Sequence, residues 1–249
     1  MICVIMQPTY LPWLGYFDLY DQADVFVILD TVQFSRQSWQ QRNRIQTRQG
    51  LQWLTVPVVK KFPQSIQEAR ISNPLVVRKH IETIIQNYSK AHAFNEYIQA
   101  FSEAMDDSLE SCFLVKLNCG LIGYFCSVLG IGTKTVFASE LGIEGNRSTM
   151  LADICKSLGA TTYLSPQGSA GYLMEDAQAF LDRSIEVVFH NYEHPVYTQL
   201  YPPFLPQASV IDLILNEGPD ALQVIRSGHR PVLDFYKMKN IVSSKANAS

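Results

Sequence analysis

Two kinds of run carry the apolar residues of this chain. Short runs of aliphatic, β-branched and aromatic residues at 2–6, 25–29, 135–138, 161–164 and 185–189 read as buried strands. Longer stretches repeat apolar residues at helical spacing. One spans 14–23, and another carries Val77, Ile81, Ile84, Ile85 and Tyr88. A third carries Tyr97, Phe101 and Met105, and the stretch 109–129 reads as a strongly apolar helix interrupted by Lys116 and Asn118. Asn73-Pro74 supplies a cap and a proline at the first helical position, Ser209 is a second cap, and Gly130 stands where a C-cap belongs. Ser148 or Thr149 caps a short helix that Gly159 ends, and further helices are expected at 172–181, 210–215 and 219–226. A polar segment at 35–48 is followed by a strand at 51–59 and a short edge strand at 66–71.

Strand, loop, helix, strand in that order implies parallel pairing. The expected fold is therefore α/β: a mainly parallel, Rossmann-like sheet of about five strands with helices on both faces. Residues 74–130 form a helical insertion. One domain covers 1–235, and 236–249 is a flexible tail of small polar residues. In such folds ligands bind beyond the carboxyl ends of the strands. Gln7, Tyr10, Trp13 and Asp30 would lie there.

Composition removes several classes of function. Lys plus Arg is 20 against Asp plus Glu 23, a formal charge of −3, so no basic bias points to nucleic acid. Cations do gather at Arg36, Arg42, Arg44, Arg48, Lys60 and Lys61, which suits a ligand bearing phosphate. Five cysteines, an odd number with no pair two residues apart, read as reduced thiols in a cytoplasmic protein. Residues 1–6 lack a basic start and a cleavage pattern, and no apolar run reaches the roughly 20 residues of a membrane span.

The opening carries a family resemblance. Met6-Gln7-Pro8-Thr9-Tyr10-Leu11-Pro12-Trp13-Leu14-Gly15-Tyr16-Phe17, followed by Ala23-Asp24-Val25-Phe26-Val27-Ile28-Leu29-Asp30, resembles the start of the WbqC-like proteins. The likeness continues through Gln40-Gln41-Arg42-Asn43, Trp53-Leu54-Thr55-Val56-Pro57-Val58, Lys79-His80, Tyr192-Glu193-His194-Pro195-Val196-Tyr197 and Asp212-Leu213. The family usually has a glycine in the loop after Ser165, where this chain has Pro166-Gln167. The resemblance implies a place among bacterial genes for surface polysaccharides and other specialised products. The order strand, Trp13-Leu14-Gly15-Tyr16, helix, strand, Asp30 also looks like the opening of nucleotidylyl transferases, without their two phosphate-holding histidines.

Candidate chemistry follows from residue type and position. The small-residue loop 165–171 enters a helix and is a candidate anion cradle, with Ser165 and Ser169 as contacts. Arg42 and Asn43 come from the polar segment, and His194 and Tyr197 follow the last strand. Histidine suits proton transfer near neutral pH, so His194 or His80 is the candidate general base, oriented by Asp30. His190 and His194 stand four apart in a strand and loop, not on a helix, so no metal and no cofactor is expected.

Three functions fit. The first is a group-transfer enzyme acting on an amino-sugar nucleotide or similar small amine by acyl or aminoacyl transfer, its donor delivered as a free thioester or on a carrier protein. The second is a nucleotidyltransferase-like enzyme with a degenerate phosphate motif. The third is a non-catalytic binding or scaffold protein of a biosynthetic complex.

Overall fold

The computed structural model describes residues 1–145 and 147–246. Its elements in chain order begin β1 (Ile2–Met6), α1 (Leu14–Gln22), β2 (Val25–Ile28), β3 (Arg42–Thr47), β4 (Gly50–Thr55), α2 (Pro74–Tyr88), α3 (Phe94–Leu109) and α4 (Leu114–Leu129). They continue with β5 (Lys134–Phe137), α5 (Ala138–Leu141), α6 (Arg147–Ser157), β6 (Thr162–Ser165), α7 (Ala170–Glu175) and α8 (Gln178–Leu181). The last are β7 (Glu186–Tyr192), α9 (Val210–Glu217), α10 (Ala221–Ser227), β8 (His229–Leu233) and α11 (Phe235–Ala246).

Six strands form one sheet in the order β5-β2-β1-β6-β7-β8. β1 is central and parallel to β2 on one side, with Cys3 opposite Val25, and to β6 on the other, with Cys3 opposite Tyr163. β5 and β7 extend the sheet in parallel, and β8 closes one edge antiparallel to β7. The chain thus moves outward from β1 through β2 to β5, then returns to β6 on β1's other flank. That reversal is the topological switch point of an α/β Rossmann-like fold, where a crevice opens at the carboxyl ends of the strands.

Alternation along the strands assigns two cores. Val4, Phe26, Ile28, Leu164 and Val188 face α1, the α2–α4 layer, α9 and α10. Cys3, Ile5, Val25, Val27, Tyr163 and Phe189 face α6, α7 and α8. Three expected caps form: Asn73 accepts from the Leu75 N–H, Ser209 from the Ile211 N–H, and Gly130 ends α4 at φ 68°. The cap expected at Ser148 or Thr149 does not, because α6 already begins at Arg147 and the Ser148 hydroxyl donates to Asp176. Among the described residues no helix is long and apolar enough to cross a membrane.

Several expectations change. The polar segment 35–48 contains β3, whose Asn43 and Ile45 face the core while Arg42 and Arg44 face outward. It pairs with β4, so the strand expected at 51–59 belongs to a separate two-stranded hairpin, not to the main sheet. Residues 66–71 make only isolated bridges, such as Val58 with Ile71. The helix expected at 172–181 is broken into α7 and α8. β8 contains Pro231, which an edge strand tolerates, and its carbonyl accepts from Asn191. A helix occupies Phe235–Ala246 where a flexible tail was expected, and its Met238 is buried against the α6–α8 side.

Candidate functional site

The loop that leaves β1 lies at the switch point and borders two adjoining cavities. The first, about 270 Å³, is lined by Gln7, Thr9, Ser38, Trp39, Gln40 and Ser169 among others. The second, about 340 Å³, is lined by Met6, Thr9, Trp13, Tyr16, Trp39, Asn43 and Gln207. Met6, Thr9 and Trp39 are common to both, so the two form one cleft with Trp39 at the partition.

Local sequence explains its walls. The Trp13 indole lies on Gly15, where an added Cβ would come within 2.2 Å of the ring. Glycine is the residue that lets tryptophan fold back over the first turn of α1. Leu11 adopts φ 45°, an uncommon left-handed conformation for a bulky residue, and its carbonyl accepts from Asn43 Nδ2 at 2.6 Å. Asn118, the polar interruption of α4, is fully buried. Its Nδ2 donates to Pro8 O at 3.1 Å and to Gln40 O at 2.8 Å, tying both wall loops to one helix. Gln40 Nε2 donates to Gln7 Oε1 at 2.7 Å across the amide half of the cleft.

The hairpin adds a cationic rim. Trp39 and Trp53 are 47% and 42% exposed, unusual for tryptophan, with ring centroids 5.5 Å apart. The Arg42 guanidinium stands 4.4 Å over Trp53, and that of Arg44 stands 5.3 Å from Trp53 and 5.9 Å from Trp39. Arg44 Nη2 donates to Gln207 Oε1 at 3.0 Å. Of the six clustered cations expected to meet phosphate, Arg42 and Arg44 are the two at this rim.

The chain is covered from residue 7 to residue 224 by the WbqC-like protein family. The chain belongs to that family. It is 35% identical over 225 residues to an uncharacterized protein of Mycobacterium tuberculosis, Rv1507c, across 89% of this chain and 96% of the relative. No solved structure matches it. The matched span of this WbqC-like protein begins at Gln7, so it takes in the cleft loop, the hairpin and Asn118.

The remaining expected site residues are dispersed. Gln7, Trp13, Asn43 and Ser169 line the cleft, and Arg42 stands at its rim. His80 does not reach it. It is buried, with Nδ1 bonded to the Tyr10 hydroxyl at 2.8 Å, and burial pulls its pKa down to about 4. Tyr10 is itself fully buried. His194 lines neither cavity; Nδ1 donates to Pro195 O at 2.9 Å and Nε2 accepts from the Gln207 N–H at 3.1 Å. Burial lowers its pKa, with the Pro195 carbonyl acting in the opposite direction. It holds the Gln207 loop and so acts behind the wall. Tyr197 donates to Asp212 at 2.6 Å in the core. Asp30 receives the Ser139 N–H at 3.0 Å and the Ser139 hydroxyl at 2.7 Å, and lines a different cavity with Phe137, Ser139 and Glu140. Ser165 is buried and donates to Pro166 O, and the expected anion cradle is wound into a single turn in which the Ser169 N–H meets Pro166 O.

Sequence reasoning missed Thr9, Trp39, Gln40, Asn118 and Gln207 as site residues. Two signals were available: a tryptophan inside a polar segment, and a lone asparagine inside an apolar helix.

Proposed function

We propose that the switch-point cleft binds an amino-sugar nucleotide or a similar small amine carrying an anionic group, and that the protein transfers an acyl or aminoacyl group to it. The observation that carries this reading is the continuity of the cleft with the Trp39–Trp53–Arg42–Arg44 rim. Aromatic faces suit a sugar or a base, guanidinium groups suit phosphate, and the Gln7, Gln40, Ser38 and Ser169 side chains suit sugar hydroxyls.

The lining residues contain no carboxylate and no imidazole. Transfer from a thioester fits such a site. The neutral amine attacks the thioester carbonyl, the C–N bond forms, the C–S bond breaks, and the departing sulfur takes the proton that the nitrogen loses. No protein base is consumed in that balance. Positioning and exclusion of water are what the cleft would supply. Mass spectrometry of reactions pairing acyl thioesters, free and carrier-bound, with amino-sugar nucleotides tests this. An acceptor heavier by the acyl group is expected; no product with any pair overturns it.

The same absence of a carboxylate or imidazole from the lining favours a second reading, a binding or scaffold protein without chemistry of its own. It expects ligand or partner binding with no turnover for any donor.

A further inference from the structure

Charge is unevenly placed in this chain. Residues 31–70 hold seven of its 20 Lys and Arg and one of its 23 Asp and Glu, so in a chain of net charge −3 this segment carries +6 and the rest carries −9. Arg36, Arg48, Lys60 and Lys61 are exposed, and Arg42 and Arg44 are half-buried. Of these six, among the described residues, Lys61 alone has an ion pair, with Glu68 at 3.9 Å.

The segment contains the β3–β4 hairpin, which stands apart from the main sheet. In an antiparallel pair the N–H and C=O of one residue point together, towards the partner strand or away from it, in alternation. The Val56 N–H donates to Gln41 O at 2.7 Å, which makes Asn43–Leu54, Ile45–Gln52 and Thr47–Gly50 the bonded pairs of the register. Arg42, Arg44 and Gln46 then point their backbone groups away from β4. Arg44 O accepts from the Ser209 N–H at 2.8 Å and the Gln46 N–H donates to the Tyr88 hydroxyl at 2.8 Å, so the outer edge of β3 is occupied. Leu51, Trp53 and Thr55 point theirs away from β3, and among the described residues nothing pairs with them. Gln52, Trp53 and Thr55 are exposed.

Proteins usually protect such an edge with lysine, proline or a bulge. The main sheet does so: its edge strand β5 begins at Lys134, and β8 at the other edge contains Pro231. β4 reads Gly-Leu-Gln-Trp-Leu-Thr, without charge or proline, in unbroken register with β3. A strand added here would lie ~4.8 Å from β4 and place alternate side chains on the face of Trp53. The Arg42 guanidinium stands 4.4 Å over that ring, so this face presents positive charge to a partner.

We infer that the free edge of β4 docks an extended acidic segment of a partner protein, paired as an added strand with Asp or Glu at alternate positions. A nucleic acid offers no peptide groups to this edge, and a second copy would set one +6 segment against another. The docking does not depend on what the cleft binds.

The test follows the anisotropy of a dye-labelled alternating Glu-Val peptide, long enough to span β4, titrated with the full chain. Its counterparts are a Lys-Val peptide and the Glu-Val peptide N-methylated throughout, which keeps the charge and blocks backbone pairing. Saturable binding of the Glu-Val peptide is expected, with each counterpart weaker by about tenfold or more. Arg42→Gln should weaken the Glu-Val peptide about threefold. Leu51→Pro removes an outward N–H that β3 does not use and should weaken it about fivefold. No binding of the Glu-Val peptide, or equal affinity for it and its N-methylated form, overturns the inference. So does an oligothymidylate that binds more tightly than the Glu-Val peptide and is insensitive to Leu51→Pro, which gives the cations to nucleic acid. A dimer in sedimentation that Leu51→Pro dissociates and the Glu-Val peptide does not gives the edge to a second copy and overturns it too.

Discussion

Two polar regions of this protein look alike in sequence and differ in bonding. The core network around Asp212 is closed. Its carboxylate receives the hydroxyls of Tyr88 and Tyr197, each at 2.6 Å, and Gln199 Nε2 at 2.8 Å. Tyr88 in turn accepts from the Gln46 N–H, and Gln199 from Gln46 Nε2. At the switch point, by contrast, Trp39 and Trp53 are half exposed beside an open cleft. A satisfied network spends its hydrogen bonds on stability, whereas side chains that face a cleft or solvent remain available to a ligand. The difference separates residues that hold this fold from residues that can recognise something.

The largest effect belongs to the closed region. Asp212→Ala removes the acceptor of the Tyr88 and Tyr197 hydroxyls in the core, and should cost about 4 kcal/mol in urea unfolding. A loss under about 1 kcal/mol would break the contrast at its stronger end.

His80 supplies a pH-dependent version. Its folded pKa of about 4 lies below the 6.5 usual for histidine, so the unfolded chain takes up the proton first as pH falls. The stability associated with neutral His80 is present above pH 6.5 and lost as pH falls from 6.5 to 4. The loss should be roughly 3 kcal/mol from this residue. Unfolding free energies at pH 7 and pH 4 should differ less in His80→Gln than in the native chain by about that amount. An unchanged difference would remove His80 from the buried set.

Smaller effects lie where the two regions meet. Asn118→Leu strands the Pro8 and Gln40 carbonyls and should cost about 2 kcal/mol while also weakening ligand binding. Loss of stability with native affinity would show that the α4 clamp does not shape the cleft. Trp39→Ala should change stability by under about 1 kcal/mol, since the side chain is half exposed, yet weaken a stacked ligand about tenfold or more.

How much of this was legible depended on the range of the interactions involved. The strands of the main sheet other than β8, and the capped helices, follow from local periodicity and cap chemistry, and both are short-range signals. The hairpin escaped because β3 reads Arg-Asn-Arg-Ile-Gln-Thr, where the polar residues Asn43, Gln46 and Thr47 are buried. Asn43 and Gln46 find hydrogen-bond partners far away in sequence, Leu11 and Tyr201. The rule that ligands sit beyond strand ends found Gln7 and Trp13, which line the cleft, but also Tyr10 and Asp30, which are bonded elsewhere. His80 and His194 were chosen for what their side chains can do. Whether a side chain is already bonded is a tertiary fact, and Tyr88 meets Asp212 across 124 positions.

The most direct measurement pairs two variants with two readouts: unfolding free energy and affinity for an amino-sugar nucleotide that the native chain binds, in Trp39→Ala and Tyr197→Phe. The account predicts that Trp39→Ala keeps its stability and loses about tenfold or more in affinity, while Tyr197→Phe loses about 1–2 kcal/mol of stability and keeps its affinity. Native affinity in Trp39→Ala, or an affinity loss confined to Tyr197→Phe, would contradict it.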